Sequence, residues 1–156
     1  CGVSHEEMMG YLKRISRDNA RTPMQWDDSK NAGFTTGTPW LKVNSNYPEV
    51  NAKAQVNDPD SVFSYYKKLI RLRHENEIIV YGDYELLEAE SEETFIYKRT
   101  YENEHLMVLC NFTDHEVSVT DAVMEQIPDG AEKLITNYAD DMGQTLRPYE
   151  AKVYRY

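Results

Sequence analysis

Residues 94–112 read TFIYKRTYENEHLMVLCNF, and two β-strands lie in them. Phe95, Tyr97 and Arg99 alternate with Thr94, Ile96 and Lys98. That period of two predicts a half-buried strand over 94–100. Leu106, Met107, Val108, Leu109 and Cys110 leave no polar face, so the strand over 106–112 belongs at the centre of a sheet. Further short runs of strand character follow outward, at 84–87, 116–120, 133–136 and 151–156. Strands of this length, separated by turns, predict a mainly β fold: an antiparallel β-sandwich. The acidic run 88–93 reads as an exposed hairpin tip between the first two strands.

Toward the N-terminus the grammar changes. Ser4 and Glu7 have the spacing of a capping box, and Met8, Leu12 and Ile15 follow at helical intervals, which predicts a helix over 5–15. No sustained period runs through 16–56, where Pro23, Gly33, Gly37, Pro39 and Pro48 punctuate the chain. A structureless connection of about forty residues is far longer than ordinary loops, and one that is ordered is usually functional. Trp26, Phe34, Trp40 and Tyr47 favour order. Asp58 as N-cap and Pro59 at the first helical position predict a second helix over 59–75. Its apolar stripe is Val62, Tyr65, Tyr66, Leu69 and Leu72. Lys67, Lys68, Arg71, Arg73 and His74 crowd its later half and suit the negative end of the helix dipole, as a solvated face. The boundary falls near residue 80, with a helical and loop segment over 1–79 and a β-domain over 80–156.

Composition excludes several classes. The chain of 156 residues carries 27 Asp and Glu against 17 Lys and Arg, and this acidic balance argues against a nucleic-acid partner. No apolar run is long enough to span a membrane, and no signal-peptide pattern is present. The start at Cys1-Gly2-Val3 lacks Met and reads as a chain trimmed from a longer one. Cys1 and Cys110 give no disulfide framework; Cys110 reads as a buried thiol, compatible with a reducing compartment. His5, His74, His105 and His115 have no metal-ligand spacing, and no metal or cofactor is expected. There is no phosphate loop and no nucleophile elbow. Asn111-Phe112-Thr113 matches the glycosylation sequon, a short and common pattern. Nothing in the spacing selects a catalytic carboxylate pair from among Asp27, Asp28, Asp58, Asp60, Asp140, Asp141 and the other acids.

One stretch concentrates binding chemistry. Residues 16–26, SRDNARTPMQW, place Arg17 and Arg21 four apart beside a proline, a methionine and a tryptophan. A guanidinium can hold a carboxylate bidentately or bond to vicinal hydroxyls, while Met24 and Trp26 offer apolar faces for the C–H side of a sugar. Chemistry alone leaves a ligand pocket and a structural arginine network equally open.

Residues 16–40, SRDNARTPMQWDDSKNAGFTTGTPW, resemble the segment that follows the eighth barrel strand in oligo-1,6-glucosidases and related family 13 glycoside hydrolases. These include α-glucosidases, dextran glucosidases and trehalose-6-phosphate hydrolases. The resemblance continues through 57–87 and closes on LRPYEAKVYRY at 146–156, more loosely over 113–145. It implies a C-terminal piece of such an enzyme. That piece would be a helical and loop remnant of the (β/α)₈ barrel, including its last helix at 59–75, followed by a β-sandwich of the α-amylase domain C type.

The family's catalytic Asp, Glu and second Asp sit on earlier strands, so no catalytic residue is expected in this chain and no turnover from it alone. The resemblance implies a cytoplasmic parent, a retaining exo-α-glucosidase of isomalto-oligosaccharides and other short α-glucosides, working without a cofactor. In that family an arginine of this loop pairs with an upstream Asp at the floor of the sugar pocket. By motif position Arg17 is the first candidate for substrate binding and Arg21 the second. The α-glucoside would be met through the full-length parent. The barrel-facing surface of the 59–75 helix, left bare, would favour self-association. The alternatives are a carbohydrate-binding β-sandwich using Tyr81, Tyr84, Tyr101, Tyr138 or Tyr149 as platforms, and a purely structural brace.

Overall fold

A computed structural model describes residues 2–156, apart from the side chain of Asn19. The reading of Cys1 lies outside the described residues. The chain divides into two compact units, residues 1–69 and Ile70–Tyr156.

In the first unit, helix α1 spans His5–Ile15. Its capping box is complete: the Glu7 N–H donates to Ser4 Oγ at 3.2 Å, and the Ser4 N–H donates to the Glu7 carboxylate at 2.9 Å. Ser16, in an extended conformation, ends it. Helix α2, Ala52–Val56, is capped by Asn51, whose Oδ1 accepts from the Ala54 N–H at 2.9 Å. Helix α3 spans Val62–Glu75, with only its first eight residues in this unit, and is three residues shorter at its start than the sequence predicts. Asp58 is not its cap. The Asp58 carboxylate instead accepts from the Asp60 N–H at 2.9 Å and closes a turn around Pro59. Ser61 takes the capping role, its Oγ accepting from the Ser64 N–H at 3.1 Å. Neither α1 nor α3 has a buried residue.

The second unit is built around one sheet. After helix α4, Glu77–Tyr81, come β1 (Asp83–Leu87), β2 (Thr94–Tyr101), β3 (Glu104–Asn111) and the short β4 (Val117–Ser118). Helix α5 (Asp121–Met124), β5 (Glu132–Thr136), β6 (Thr145–Leu146) and β7 (Ala151–Arg155) complete the chain. Strands β1-β2-β3-β7-β5 form an antiparallel sheet in that order, and β4 and β6 pair as a separate ribbon. As the two-faced apolar run requires, β3 lies at the centre.

Register assigns the faces. Ile96 stands opposite Leu109, and Lys98 opposite Met107. Ile96, Met107 and Leu109 pack under Val119, Val123 and Leu146 of the ribbon and α5 region. On the other face, Leu106 and Val108 pack under Ile78 of α4. Arg99 fastens α4 by donating from Nε to the Ile78 carbonyl at 3.1 Å and from Nη2 to the Gly82 carbonyl at 2.6 Å. Gly82 tolerates no side chain, because a Cβ there would lie 2.5 Å from the Ile78 carbonyl oxygen. The predicted strand over 116–120 shrinks to two residues because Thr120 is drawn to the β1–β2 turn, its N–H donating to the Glu88 carboxylate at 3.1 Å.

A polar network replaces apolar packing beneath β7. Lys152 and Glu150 are both fully buried. Lys152 Nζ donates to Asp141 Oδ1 at 2.8 Å and to the Gly143 carbonyl at 3.1 Å. Glu150 accepts from the Arg147 N–H at 2.8 Å, and its other oxygen lies 3.4 Å from Lys152 Nζ. Asp141 also accepts from Lys133 Nζ at 2.7 Å, the Tyr154 hydroxyl at 2.9 Å and the Gly143 N–H at 2.9 Å. Burial alone would raise the Asp141 carboxyl, but the donors Lys133, Lys152, Tyr154 and Gly143 outweigh it and hold the group well below the usual carboxylate range.

A lowered folded pKa contributes stability that is full above the unfolded carboxyl value, near ~3.9, and is lost as pH falls toward the folded value. Asp141→Asn is therefore expected to cost about 2 kcal/mol in urea melts at pH 7, since it removes the closer of the two carboxylates beside the buried Lys152 and leaves only Glu150, at 3.4 Å. The gap from wild type should narrow in melts below pH 4. Equal stability at pH 7 would contradict this role.

Candidate functional site

The candidate binding stretch of the sequence, residues 16–26, opens a loop that runs on to residue 57, and the order of this loop comes from side-chain amides. After α1, Arg17 precedes a single 3₁₀ turn, Asp18–Ala20, and Arg21 follows it. Residues 22–26 belong to no helix or strand. The Gln25 side chain donates to Asn46 Oδ1 at 3.3 Å and to the Val50 carbonyl. Asn44 Nδ2 donates back to Gln25 Oε1 at 3.2 Å and to Thr22 Oγ1 at 3.3 Å. The Ala52 and Lys53 N–H groups donate to the Gln25 and Trp26 carbonyls, each at 2.9 Å. Segments nineteen to twenty-seven residues apart are thereby stitched together without sheet pairing.

Beside this seam is a strained turn. Asn31, Ala32 and Gly33 all have positive φ, at 58°, 57° and 66°. Ala32 is fully buried, and its carbonyl accepts from both the Trp26 and Asp27 N–H groups, at 2.8 and 3.3 Å. Asp27 supports the turn from inside: its carboxylate accepts from the Ser29 hydroxyl and N–H, which hold its pKa down. Left-handed alanine costs roughly 1–2 kcal/mol, so the surrounding bonds must fix it.

Two shallow concavities open on this loop. One, of about 340 Å³, is lined by Asp18, Thr22 and the stretch 41–45. The other, of about 310 Å³, is lined by residues including Pro23, Met24, Gln25, Gln55 and Phe63. Arg17 and Arg21 line neither; the lining of the first takes the residue after each, Asp18 and Thr22. Both arginines are exposed, and their guanidinium groups have no hydrogen-bond partner among the described residues.

The other candidates have structural work. Asn111, of the sequon, is 3% exposed, and its Nδ2 donates to the His115 and Arg147 carbonyls at 2.7 and 2.8 Å. It cannot accept a glycan while folded. Asp140 pairs with Arg147 at 2.6 Å, and His115 with Glu93 at 2.8 Å. Among the tyrosines, Tyr81, Tyr84 and Tyr149 are exposed. Tyr138 is engaged by the Arg147 guanidinium, 4.8 Å from its ring centre, and by its own hydroxyl bond to the Pro148 carbonyl. Among the described residues no group of three or more His, Cys, Asp or Glu side chains converges as a metal site would. No helix among them is long and apolar enough to cross a membrane. The amide stitching escapes a sequence search because Gln and Asn carry no periodic signature.

With this geometry in hand, relatives are informative. Residues 1–82 match the model of the α-amylase catalytic domain, and residues 96–156 that of a β-galactosidase C-terminal domain. The chain belongs to the α-amylase family, family 13 of the glycoside hydrolases. It is 48% identical to an oligo-1,6-glucosidase of Parageobacillus thermoglucosidasius over 99% of its own length, and 46% identical to one of Halalkalibacterium halodurans over 98%. It spans 28% of the length of each of these relatives. The crystal structure of Bacillus licheniformis trehalose-6-phosphate hydrolase matches 99% of the chain at 41% identity with a TM-score of 0.86, the match spanning 29% of that protein.

Gly33→Ala would place a methyl group 2.8–3.1 Å from the Asp27 carboxylate at φ +66°. The strained turn is then expected to open at least about tenfold more often, the equivalent of 1.4 kcal/mol or more. Tryptic cleavage at Lys30 should accelerate accordingly, and an unchanged rate would show that the turn is not held as described.

Proposed function

We propose that this chain is the C-terminal part of a retaining exo-α-glucosidase that hydrolyses short α-glucosides such as isomalto-oligosaccharides. The observation that carries the proposal is the likeness, at 46–48% identity across nearly the whole chain, to oligo-1,6-glucosidases. On this reading residues 1–79 complete a (β/α)₈ barrel and residues 80–156 form a sandwich of the domain C type. The parent acts in the cytoplasm, a compartment compatible with the free, half-buried thiol of Cys110.

The chemistry would run through a carboxylate nucleophile and a carboxylic acid on the rest of the barrel, with a covalent glucosyl-enzyme between two displacements. Arg17, with Arg21 as second choice, would bond to the outer hydroxyls of the terminal glucose together with an upstream Asp. Their unengaged guanidinium groups support this, because a rigid fork of donors gains most where a partner is supplied to it. Alone, the 156-residue chain is expected to turn over nothing. The apolar side chains Val62, Phe63, Tyr66 and Ile70 exposed on α3 favour its self-association, and a strictly monomeric sedimentation profile would count against that part.

The test is turnover of nitrophenyl α-glucoside, isomaltose and trehalose 6-phosphate by the longer gene product. Hydrolysis of at least one is expected, and failure with all three would sink the proposal. In the active protein, Arg17→Ala should lower kcat/KM by about 10- to 100-fold, the worth of one charged hydrogen bond to substrate. No change for either Arg17→Ala or Arg21→Ala would remove both from the sugar pocket.

A further inference from the structure

We infer that one end of the sheet face carrying Met107 and Leu109 is a sugar site of its own, taking a single ring of a neutral α-glucoside. The choice of a glucosyl ring rests on the glucosidase reading; the site itself does not. Register builds it. Lys98 stands opposite Met107, and Thr100 opposite His105, so Lys98 and His105 share the face that carries Ile96, Met107 and Leu109. Tyr156 joins them beside His105, through two backbone bonds at 2.7 and 3.0 Å. The apolar cover of this face gives way there to a polar side chain. Helix α5 ends at Met124, and Gln126 reaches the sheet, its Nε2 donating to the Ala122 carbonyl at 3.1 Å and its Oε1 accepting from Lys98 Nζ at 3.1 Å. Lys98, His105, Gln126 and Tyr156 line a concavity of about 200 Å³. All four belong to the second unit, so the concavity is complete within it.

The hydrogen-bonding groups left over name the ligand class. Of the three Lys98 N–H donors, one goes to Gln126 and another faces the Glu85 carboxylate at 3.3 Å. His105 engages Thr100 through Nδ1 at 3.2 Å, and its Nε2 has no partner among the described residues. Gln126 keeps one N–H and one lone pair in hand. The Tyr156 hydroxyl is buried and has no partner among the described residues, a polar group that the fold itself leaves unsatisfied. Unspent donors and acceptors thus stand side by side. A sugar hydroxyl donates and accepts at once, and matches such a mixed set. An anion only accepts, and it would meet the Glu85 carboxylate beside Lys98, on a chain of net charge -10. The Tyr156 ring, 5.4 Å from that of His105, supplies an apolar wall for the C–H groups of a pyranose. At about 200 Å³ the space falls below the ~300–1,000 Å³ of ordinary small-molecule sites, too little for a nucleotide and enough for one sugar ring.

The experiment is an NMR titration of the 156-residue chain with isomaltose, read at the His105 ring and the Gln126 side-chain amide. Saturable shifts are expected at both, with a Kd of roughly 1–10 mM for so open a site. Gln126→Ala should weaken binding at least tenfold while the methyl signals of Val119 and Leu146 stay in place, as they must if the core is intact. His105→Ala, which leaves the bond between Lys98 and Gln126 untouched, is a second variant with the same expectation. Lack of saturable shifts at ~100 mM isomaltose, or an affinity unmoved in both variants, would overturn the inference. So would tighter binding of inorganic phosphate at these residues, which would make this an anion site, or shifts confined to Arg17 and Arg21. Glucoside turnover by the longer gene product separates the two proposals. An active enzyme whose 156-residue chain shows no shifts defeats the second site alone. An inactive one whose chain binds isomaltose at His105 and Gln126 defeats the glucosidase reading and leaves the site standing.

Discussion

A strand with no polar face must be covered twice. Leu106, Met107, Val108 and Leu109 are all buried, and that single requirement organises the whole β unit. It places β3 between β2 and β7, draws the β4–β6 ribbon and α5 onto one face, and draws α4 onto the other. Both covers are short elements with little intrinsic preference for their structure. They hold because the strip of Leu and Met beneath them would otherwise meet water, at about 25 cal/mol for each Å² left exposed.

The same logic explains what the sequence revealed and what it concealed. Alternation over 94–100 and its absence over 106–110 announce both the sheet and its centre, since side-chain direction in a strand depends only on parity. The helix at 5–15 is legible because its capping box is local. The covers are not legible, because they are fixed from far away: α4 by Arg99 and by Arg155, whose Nη1 donates to Asn76 Oδ1 at 2.9 Å, and β6 by its pairing with Val117 and Ser118. Asp58 misleads for a related reason. The Asp-Pro pair fits a helix start, yet the same carboxylate can close a turn one residue later, and Ser61 is equally able to cap. Local rules give two solutions there, and the chain takes the second.

The loop over 16–57 follows different physics. Where the β unit is held by apolar burial, residues 16–57 are held by amide hydrogen bonds and by one buried, left-handed alanine. Such a seam is specific in geometry but shallow in energy, since each bond in reach of water contributes only about 1 kcal/mol. Arg17 and Arg21 stood out in the sequence by type and spacing. What could not be read there is their surroundings: both residues are exposed, and one concavity of the loop is lined by their neighbours Asp18 and Thr22. Under the proposed function, that arrangement suits a loop completed by other parts of a family 13 enzyme.

The contrast between a self-sufficient sheet and a lightly held loop can be measured directly by native-state hydrogen exchange on the 156-residue chain. Amides of β3 between Leu106 and Leu109 should exchange only through global unfolding, while those of α1 and of residues 22–26 should exchange through local openings at least about a hundredfold more often. Protection at a common level across both regions would mean that the loop and the sheet fold as one cooperative body, and would contradict the division drawn here.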